Sequence, residues 1–252
     1  MNIIILAAGY AVRLQPYTLT TPKPLLEVGG KKILDRLLEK ISGVKNAKDI
    51  HVVANAKFFD QFTAWRAGSK YRDRIFLTND GSTTNDNRLG AIKDLELVTD
   101  KVGSGEDLLV IAGDNLFDFA LDKFTDFAKA RADGVSIALH DIGSRDLAKN
   151  FGVVEIDGSG LVVNFQEKPA EPKSSLISTG IYYFPKAKIA LIKEYVKSEP
   201  KLDAPGYYIG WLSKNKKVYG CPFSEDWHDI GNIESYKRAD AEYKNKEKGK
   251  ML

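Results

Sequence analysis

Runs of apolar residues alternate with stretches of helical period along the first 140 residues of the chain. The first run, residues 3–8, is continuously apolar, as is typical of a strand covered on both faces in a parallel sheet. Short runs rich in β-branched and aliphatic residues predict four more strands, at residues 50–54, 75–77, 108–112 and 135–139.

Apolar residues three and four positions apart predict helices between these strands. The predicted helices cover residues 33–41, 58–65, 89–98 and 121–132. Because strands and helices alternate, the sequence predicts an α/β fold with a doubly wound, mostly parallel sheet.

The second half of the chain has a different pattern. From about residue 150, predicted strands follow one another directly, at residues 151–156, 161–167 and 177–184. Residues 157–160 (DGSG) predict a hairpin turn between the first two, so antiparallel strands are added to the parallel core. Further helices are predicted at residues 187–196, 206–214 and 233–243. No repeat or low-complexity linker divides the chain, so we expect a single domain over residues 1–252.

The overall charge is nearly balanced, with 37 Lys and Arg against 34 Asp and Glu and a net charge of +3. This balance gives no support to a nucleic acid or a membrane surface as a partner.

Cys221 is the only cysteine, which excludes an intrachain disulfide. No apolar stretch approaches the ~18–20 residues that span a bilayer, and the first residues lack the basic flank of a signal peptide. We expect a cytoplasmic protein, and the sequence leaves open whether it forms a homo-oligomer.

Small residues follow the first predicted strand at the point where it ends. Leu6, Ala8 and Gly9 lie at this end, where the backbone can approach a ligand and its N–H groups can bind phosphate oxygens. Arg13 adds a cation suited to bidentate phosphate binding, and two prolines fix the backbone around Lys23. The glycine spacing fits neither a dinucleotide fingerprint nor a P-loop. From the residues alone, a phosphate site and a loop with surface cations both stay open.

Five segments, in order along residues 6–231, resemble the signature of the sugar-1-phosphate nucleotidylyltransferase family. They are LAAGYAVRL at residues 6–14 with PKPLL at 22–26, VIAGDN at 110–115, FGVV at 151–154, FQEKP at 165–169 and WHDIG at 227–231. The resemblance implies a Rossmann-like nucleotidyltransferase fold. It also implies a nucleotide-binding half over residues 1–140 and a sugar-phosphate-binding half over residues 141–252.

The resemblance assigns a role to each matching position. In the first half it implies that Leu6, Ala8 and Gly9 contact the nucleotide, and that Arg13 and Lys23 bind the triphosphate and serve catalysis. In the second half it implies that Gly152, Glu167 and Lys168 bind the sugar phosphate. Asp114 and Asp229 resemble the carboxylates that hold Mg²⁺ between the reacting phosphates. Two alternatives remain: Asp229 could cap a turn, and the Glu167–Lys168 pair could be a surface ion pair of little energetic weight.

The activity implied is the reaction of a nucleoside triphosphate with a sugar 1-phosphate to give an NDP-sugar and pyrophosphate. The branch that the chain resembles favours dTTP or UTP and glucose 1-phosphate. The sugar phosphate oxygen is already an anionic nucleophile, so the reaction needs positioning and charge relief more than a strong base. Two other hypotheses stay open: a cytidylyltransferase acting on a small phosphate such as phosphocholine, and a catalytically silent NDP-sugar-binding protein.

Two segments depart from the family pattern. Ala11 and Val12 stand where a glycine and a Thr or Ser are usual, and the loss of a hydroxyl at Val12 is the main support for the silent alternative. The polar segment at residues 85–92 replaces the usual Gly-rich stretch that reads the base. We expect Asn87 and Gly90 to contact the base there, although the usual cues for the identity of the base cannot be carried over.

Overall fold

The computed structural model describes residues 1–198 and 201–250. Its largest element is a nine-stranded mixed sheet flanked by helices on both faces, and three-residue 3₁₀ turns occur in the connections. The strands of this sheet are β1 Asn2–Leu6, β4 Ile50–Ala54, β5 Ile75–Asn79, β6 Leu108–Ala112, β8 Val135–Asp141, β9 Gly152–Ile156, β10 Val162–Glu167, β11 Leu176–Phe184 and β12 Val218–Phe223. Four short strands form two separate ribbons, β2 Glu27–Val28 with β3 Lys31–Lys32, and β7 Asn115–Phe117 with β13 Trp227–Asp229. The helices are α1 Ile33–Ser42, α2 Phe59–Gly68, α3 Ala91–Val102, α4 Leu121–Lys129, α5 Arg145–Ala148, α6 Ala190–Ser198, α7 Pro205–Asn215 and α8 Ile233–Lys250.

The parallel part of the sheet has the order β6-β1-β4-β5. After β1 the chain moves to one side, to β4 and β5, and then returns to β6 on the other side of β1. The switch point of the sheet therefore lies between β1 and β6, where Leu6 is in register with Ala112. In open α/β sheets, ligands bind outside the carboxyl ends of the strands at such a point. The predicted doubly wound sheet is confirmed.

Alternate residues of β1 face the two sides of the sheet, as the two-residue period of a strand requires. Ile3 and Ile5 pack with the apolar stripes of α1 and α2, whereas Ile4 packs with residues of α3, α6 and α7. A strand covered in this way is apolar at every position. The continuous apolar run in the sequence is therefore explained by the helices that cover both faces of β1.

The predicted antiparallel strands are confirmed in the second half of the chain. β11 lies antiparallel to β6, and β8 and β9 both pair with β11, so the sheet continues across residue 140 without a break. β12 extends the sheet beside β8 in the parallel direction, and Cys221 lies on this strand opposite Ala138.

Some element boundaries differ from the sequence prediction. The helix predicted from residue 89 begins at Ala91, because Gly90 has a φ of 90°, which a helix cannot contain. The helix predicted over residues 121–132 ends at Lys129, and the one predicted over 233–243 runs on to Lys250. The β7–β13 ribbon was not predicted, since three-residue strands have too few positions to show a period. Within the described chain, no helix is long and apolar enough to cross a membrane.

Candidate active site

A cavity of about 320 Å³ opens at the carboxyl edge of the parallel strands. It begins where β1 and β6 end, at the switch point of the sheet. Seven of the twelve residues that the sequence singles out line it: Leu6, Ala8, Gly9, Arg13, Lys23, Gly90 and Asp114. The remaining five, Asn87, Gly152, Glu167, Lys168 and Asp229, lie outside its lining.

The loop after β1 is held by side chains that bind its carbonyl oxygens. Asn55 donates from Nδ2 to the carbonyl oxygen of Ala8 at 2.9 Å, and Thr18 donates from Oγ1 to that of Ala11 at 2.9 Å. Ala11 has a φ of 46° and a ψ of 47°, in the left-handed region that favours glycine. The glycine that is usual in the family at this position therefore fits the backbone better than alanine does.

Arg13 and Val12 differ in what they face. Arg13 lines the cavity, whereas Val12 does not and is 48% exposed. The missing hydroxyl at Val12 is therefore at a position that points to solvent in this structure. The main support for a silent binding protein is weakened accordingly.

Lys23 and Asp114 form an ion pair across the cavity. Lys23 begins a 3₁₀ turn and is followed in the chain by Pro24. The lysine is only 7% exposed and donates from Nζ to Asp114 Oδ2 at 2.8 Å. Asp114 follows Gly113, whose N–H donates to the carbonyl oxygen of Leu6 at 2.8 Å. A Cβ at Gly113 would lie 2.8 Å from that same oxygen, so only glycine lets the chain leave β6 close to the end of β1.

The two carboxyl groups expected to hold a metal respond to each other and to the same cations. Burial would raise the pKa of Asp114, but Lys23 and Arg13 hold it below its usual range. Burial raises the pKa of Asp229, and the negative charge of Asp114 raises it further, against the opposing effect of Lys23. Asp229 ends β13 in register with Asn115, the residue after Asp114, so the short ribbon brings the two acids together.

These two acids are the donors that the site offers to a metal ion. Across the described ranges of the chain, no group of three or more His, Cys, Asp or Glu side chains gathers at metal spacing. Two neighbouring carboxylates repel each other, and the charge of Asp114 adds to the effect of burial in raising the pKa of Asp229. A hard divalent cation prefers carboxylate oxygens and would relieve that repulsion, so the donor set fits such an ion.

Gly152, Glu167 and Lys168 form a second group on the β9–β10 hairpin. Gly152 is directly opposite Glu167 in the ladder, and a Cβ at Gly152 would lie 2.5 Å from Phe165 Cζ. The Glu167 side chain is 9% exposed and burial raises its pKa, while Lys168 Nζ lies 3.8 Å from its Oε1. Lys168 also lowers the pKa of Asp229. Its charge therefore acts on Asp229, one of the two acids expected to hold a metal.

Glu167 also contacts the start of α7. A Cβ at Gly206 would overlap Glu167 Oε2, so glycine at this position makes room for the carboxylate. The N-terminus of a helix favours negative charge. The buried Glu167 therefore packs between the hairpin and the start of α7. This burial argues against the alternative that Glu167 and Lys168 form only a surface ion pair.

The loop before α3 does not present Asn87 to the cavity. The side-chain oxygen of Asn87 accepts hydrogen bonds from the N–H groups of Thr83 and Thr84 at 3.0 and 2.9 Å, so the amide is used within its own turn. Asn85 and Arg88 line the cavity instead. The prediction for Asn87 as a base contact thus has no support in its position, whereas Gly90 lies where expected.

Sequence reasoning missed three charged residues of the cavity wall, Arg88, Asp203 and Asp94. Arg88 pairs with Asp203 through two hydrogen bonds of 2.7 and 2.9 Å, and both residues line the cavity. They are 115 positions apart, so no local spacing could have joined them. Asp94, one turn into α3, is the third missed residue, and only its place on an apolar helix face distinguished it.

Comparisons with known proteins agree with this geometry. The family described as "Nucleotidyl transferase" matches residues 2–246. A solved structure titled as a putative glucose-1-phosphate thymidylyltransferase from Bacillus anthracis, in complex with a sucrose, has a TM-score of 0.82 and 27% identity to the chain. The match covers 97% of this chain and 95% of that one.

Two relatives named "Bifunctional protein GlmU" match over a similar extent. The one from Methanocaldococcus jannaschii is 32% identical over 232 residues, and the match covers 92% of this chain and 51% of that protein. The one from Methanococcus maripaludis is 27% identical over 248 residues, covering 98% of this chain and 55% of that protein. The chain spans about half the length of these curated relatives.

Proposed function

The chain belongs to the nucleotidyl transferase family, and from that premise we propose that it is a sugar-1-phosphate nucleotidylyltransferase. In the proposed reaction, an oxygen of the sugar phosphate attacks the α-phosphorus of a nucleoside triphosphate. The bond from the α-phosphorus to the bridging oxygen breaks, and the products are an NDP-sugar and pyrophosphate.

The observation that carries the proposal is the contact between Lys23 and Asp114 at the switch point of the sheet. It places a nearly buried cation, a carboxylate and the glycine loop at one end of one cavity, with Arg13 on the wall. Attack of a phosphate on a triphosphate brings several negative charges together. Fixed cations in a partly buried site stabilise that arrangement, because they need no reorganisation during the reaction.

A divalent metal ion is typical of the family, and we propose Mg²⁺ held by Asp114 and Asp229. When bound, it would neutralise charge between the reacting phosphates. Lys23 orients Asp114 by its hydrogen bond, and Gly231 leaves space for Asp229, because a Cβ at Gly231 would overlap Asp229 Oδ2.

For the acceptor, we propose glucose 1-phosphate bound by Gly152, Glu167 and Lys168. Lys168 has a φ of 48°, and its N–H donates to the carbonyl oxygen of Phe151 at 3.0 Å, so the backbone fixes where its side chain begins. A carboxylate such as Glu167 accepts hydrogen bonds from sugar hydroxyls, and Lys168 suits a phosphate. Residues 1–140 would then bind the nucleotide and residues 141–252 the sugar phosphate, within one domain.

For the donor, we propose dTTP or UTP. The structural neighbour from Bacillus anthracis is named as a putative glucose-1-phosphate thymidylyltransferase, which supports this choice. The sequence-based expectation of a cytoplasmic enzyme is retained as part of the proposal.

The test is pyrophosphate release across all common nucleoside triphosphates and a panel of sugar 1-phosphates plus phosphocholine, with and without Mg²⁺. We expect release that depends on both substrates and on the metal, with the highest rate for dTTP or UTP with glucose 1-phosphate. Release with CTP and phosphocholine alone would transfer the assignment to the cytidylyltransferase alternative. No release in any combination, together with NDP-sugar binding, would leave a silent binding protein.

A further inference from the structure

A buried carboxyl group lines the cavity one turn into α3. Asp94 is 5% exposed, yet it is part of the cavity wall, and its Oδ1 is fully buried without a hydrogen-bond partner among the described residues. A buried acceptor left unpaired destabilises the protein, because it has lost its hydrogen bonds to water without replacement. Such a group in a binding cavity indicates a donor that arrives with the ligand.

The groups around Asp94 have their own partners. Asp80, at the end of β5, accepts hydrogen bonds from the N–H and the Oγ of Ser82 at 2.7 and 2.8 Å. The hydroxyl of Ser82 in turn lies 3.2 Å from the Tyr10 hydroxyl. Asp80 is thus satisfied within the wall, whereas Asp94 Oδ1 is not.

Asp94 lines the cavity from α3, whereas Arg13 and Lys23 line it from the two 3₁₀ turns that follow β1. Its pKa is raised to about 7 by burial and by the neighbouring charge of Asp80. The pKa of Asp114 responds instead to Lys23 and Arg13. If the phosphates of a nucleotide contact Lys23 and Arg13, the α3 side of the same cavity, with Gly90 and Asp94, is available to its base.

We propose that Asp94 is a base-binding residue, and that its Oδ1 accepts a hydrogen bond from the N3–H of a uracil or thymine ring. This inference rests on the proposed function and on its preference for dTTP or UTP. Because N1 is bonded to the ribose, N3–H is the single N–H donor of either ring. Asp94 Oδ1 is a buried acceptor in the cavity wall that can receive this hydrogen bond. A neutral Asp94 carboxyl also donates its O–H to one of the two carbonyl oxygens beside N3, so the pair forms two hydrogen bonds.

The test compares the binding of UTP and of N3-methyluridine 5′-triphosphate, measured by titration calorimetry with Mg²⁺ and without sugar phosphate. The wild-type protein should bind the methylated nucleotide about tenfold more weakly or worse, because the donor is lost. Asp94→Ala should weaken UTP binding by about tenfold and reduce the methyl penalty to less than about threefold. Asp94→Asn keeps the acceptor and should bind UTP within about threefold of wild type.

Asp86→Ala is the matched control, since Asp86 is an exposed acid in the loop before α3 that does not line the cavity. It should reproduce both wild-type affinities. Thermal unfolding of each variant confirms that it is folded.

Three results would contradict the inference, and they are distinguishable. An unchanged methyl penalty in Asp94→Ala, or unchanged UTP affinity, would remove Asp94 from the base site while leaving the transferase function in place. A wild-type protein that binds and uses only CTP, ATP or GTP would overturn the proposed contact with a uracil or thymine ring. The transferase function would remain in place. A wild-type protein that binds no nucleotide and releases no pyrophosphate would overturn the proposed function itself.

Discussion

Lys23 Nζ lies 2.8 Å from Asp114 Oδ2, so a cation from the loop after β1 contacts a carboxylate that ends β6. The two residues are 91 positions apart, and the switch point of the sheet brings them together. Each depends on the other: Asp114 compensates a nearly buried ammonium, and Lys23 holds Asp114 in its ionised form. The same pair thereby joins the predicted triphosphate site to the predicted metal site.

Asp114→Asn tests the metal assignment. We expect turnover to fall by about 10²-fold or more, because the amide is a poor ligand for a hard cation and carries no charge. The fold should be kept, since the Asn oxygen can still accept the hydrogen bond from Lys23. Steady-state rates and thermal unfolding measure the two effects. Asp118→Asn, an exposed acid that pairs with Lys246, is the control and should keep the wild-type rate. A wild-type rate in Asp114→Asn would mean that another residue holds the metal.

Gly206→Ala tests the place of Glu167 in the sugar site. A Cβ at Gly206 would overlap Glu167 Oε2, so the carboxylate must move away from the start of α7. We expect the KM for the sugar 1-phosphate to rise by about tenfold or more while the KM for the nucleotide changes little. The matched control is Gly210→Ala on the same helix, where a Cβ would meet Phe165 at an ordinary 3.4 Å. Equal kinetic effects of the two substitutions would show that Glu167 does not bind the sugar phosphate.

Ala11→Gly tests the backbone of the loop after β1. Alanine with a φ of 46° costs about 1–2 kcal/mol relative to an ordinary conformation, and glycine removes this cost. The greater freedom of glycine in the unfolded chain opposes the gain by about 0.4–1 kcal/mol. Ala187→Gly, at an exposed 3₁₀ turn, relieves no left-handed backbone, so only the entropic loss of stability applies to it. Denaturant unfolding should therefore find Ala11→Gly more stable than Ala187→Gly by about 1 kcal/mol. Equal free energies of unfolding would remove the backbone argument.

The buried Asp94 also predicts a pH dependence of stability. Its pKa is raised to about 7 in the folded protein by burial and Asp80, while the unfolded chain has the ordinary value of 3.8. Between these two values the folded state binds more protons, so the contribution of Asp94 to stability falls as the pH rises. Asp94→Asn removes this loss. The variant should gain about 2–4 kcal/mol over wild type between pH 4 and pH 8, mostly below pH 7. A stability difference that does not vary with pH would show that Asp94 ionises normally.

The fold could be predicted largely because strand and helix periods are local. The run at residues 3–8 identified β1, and the small residues after it identified the ligand end of the sheet. The β7–β13 ribbon could not be predicted, since its pairing of Asn115 with Asp229 depends on tertiary contacts between distant segments. That ribbon nevertheless brings together the two acids that we propose to hold the metal.

The site was predictable where the motif lies on a strand end and less so in the loop before α3. Asn87 has the residue type of a base contact, yet its amide closes its own turn with Thr83 and Thr84. A sequence cannot show whether a polar side chain in a loop is used locally. Asp94 was missed for the opposite reason, because an acid on a helix is ordinarily assigned to the solvent face.

Transfer of the labelled α-phosphate tests the central claim most directly. The wild-type protein is incubated with UTP or dTTP labelled at the α-phosphorus, glucose 1-phosphate and Mg²⁺, and the products are separated by chromatography. We predict that the label moves into an NDP-glucose, with one pyrophosphate released for each molecule formed, and that Asp114→Asn lowers the yield by about 10²-fold or more. If the label stays in UTP and dTTP with every sugar 1-phosphate tried, the chain is not a uridylyl- or thymidylyltransferase acting on sugar 1-phosphates.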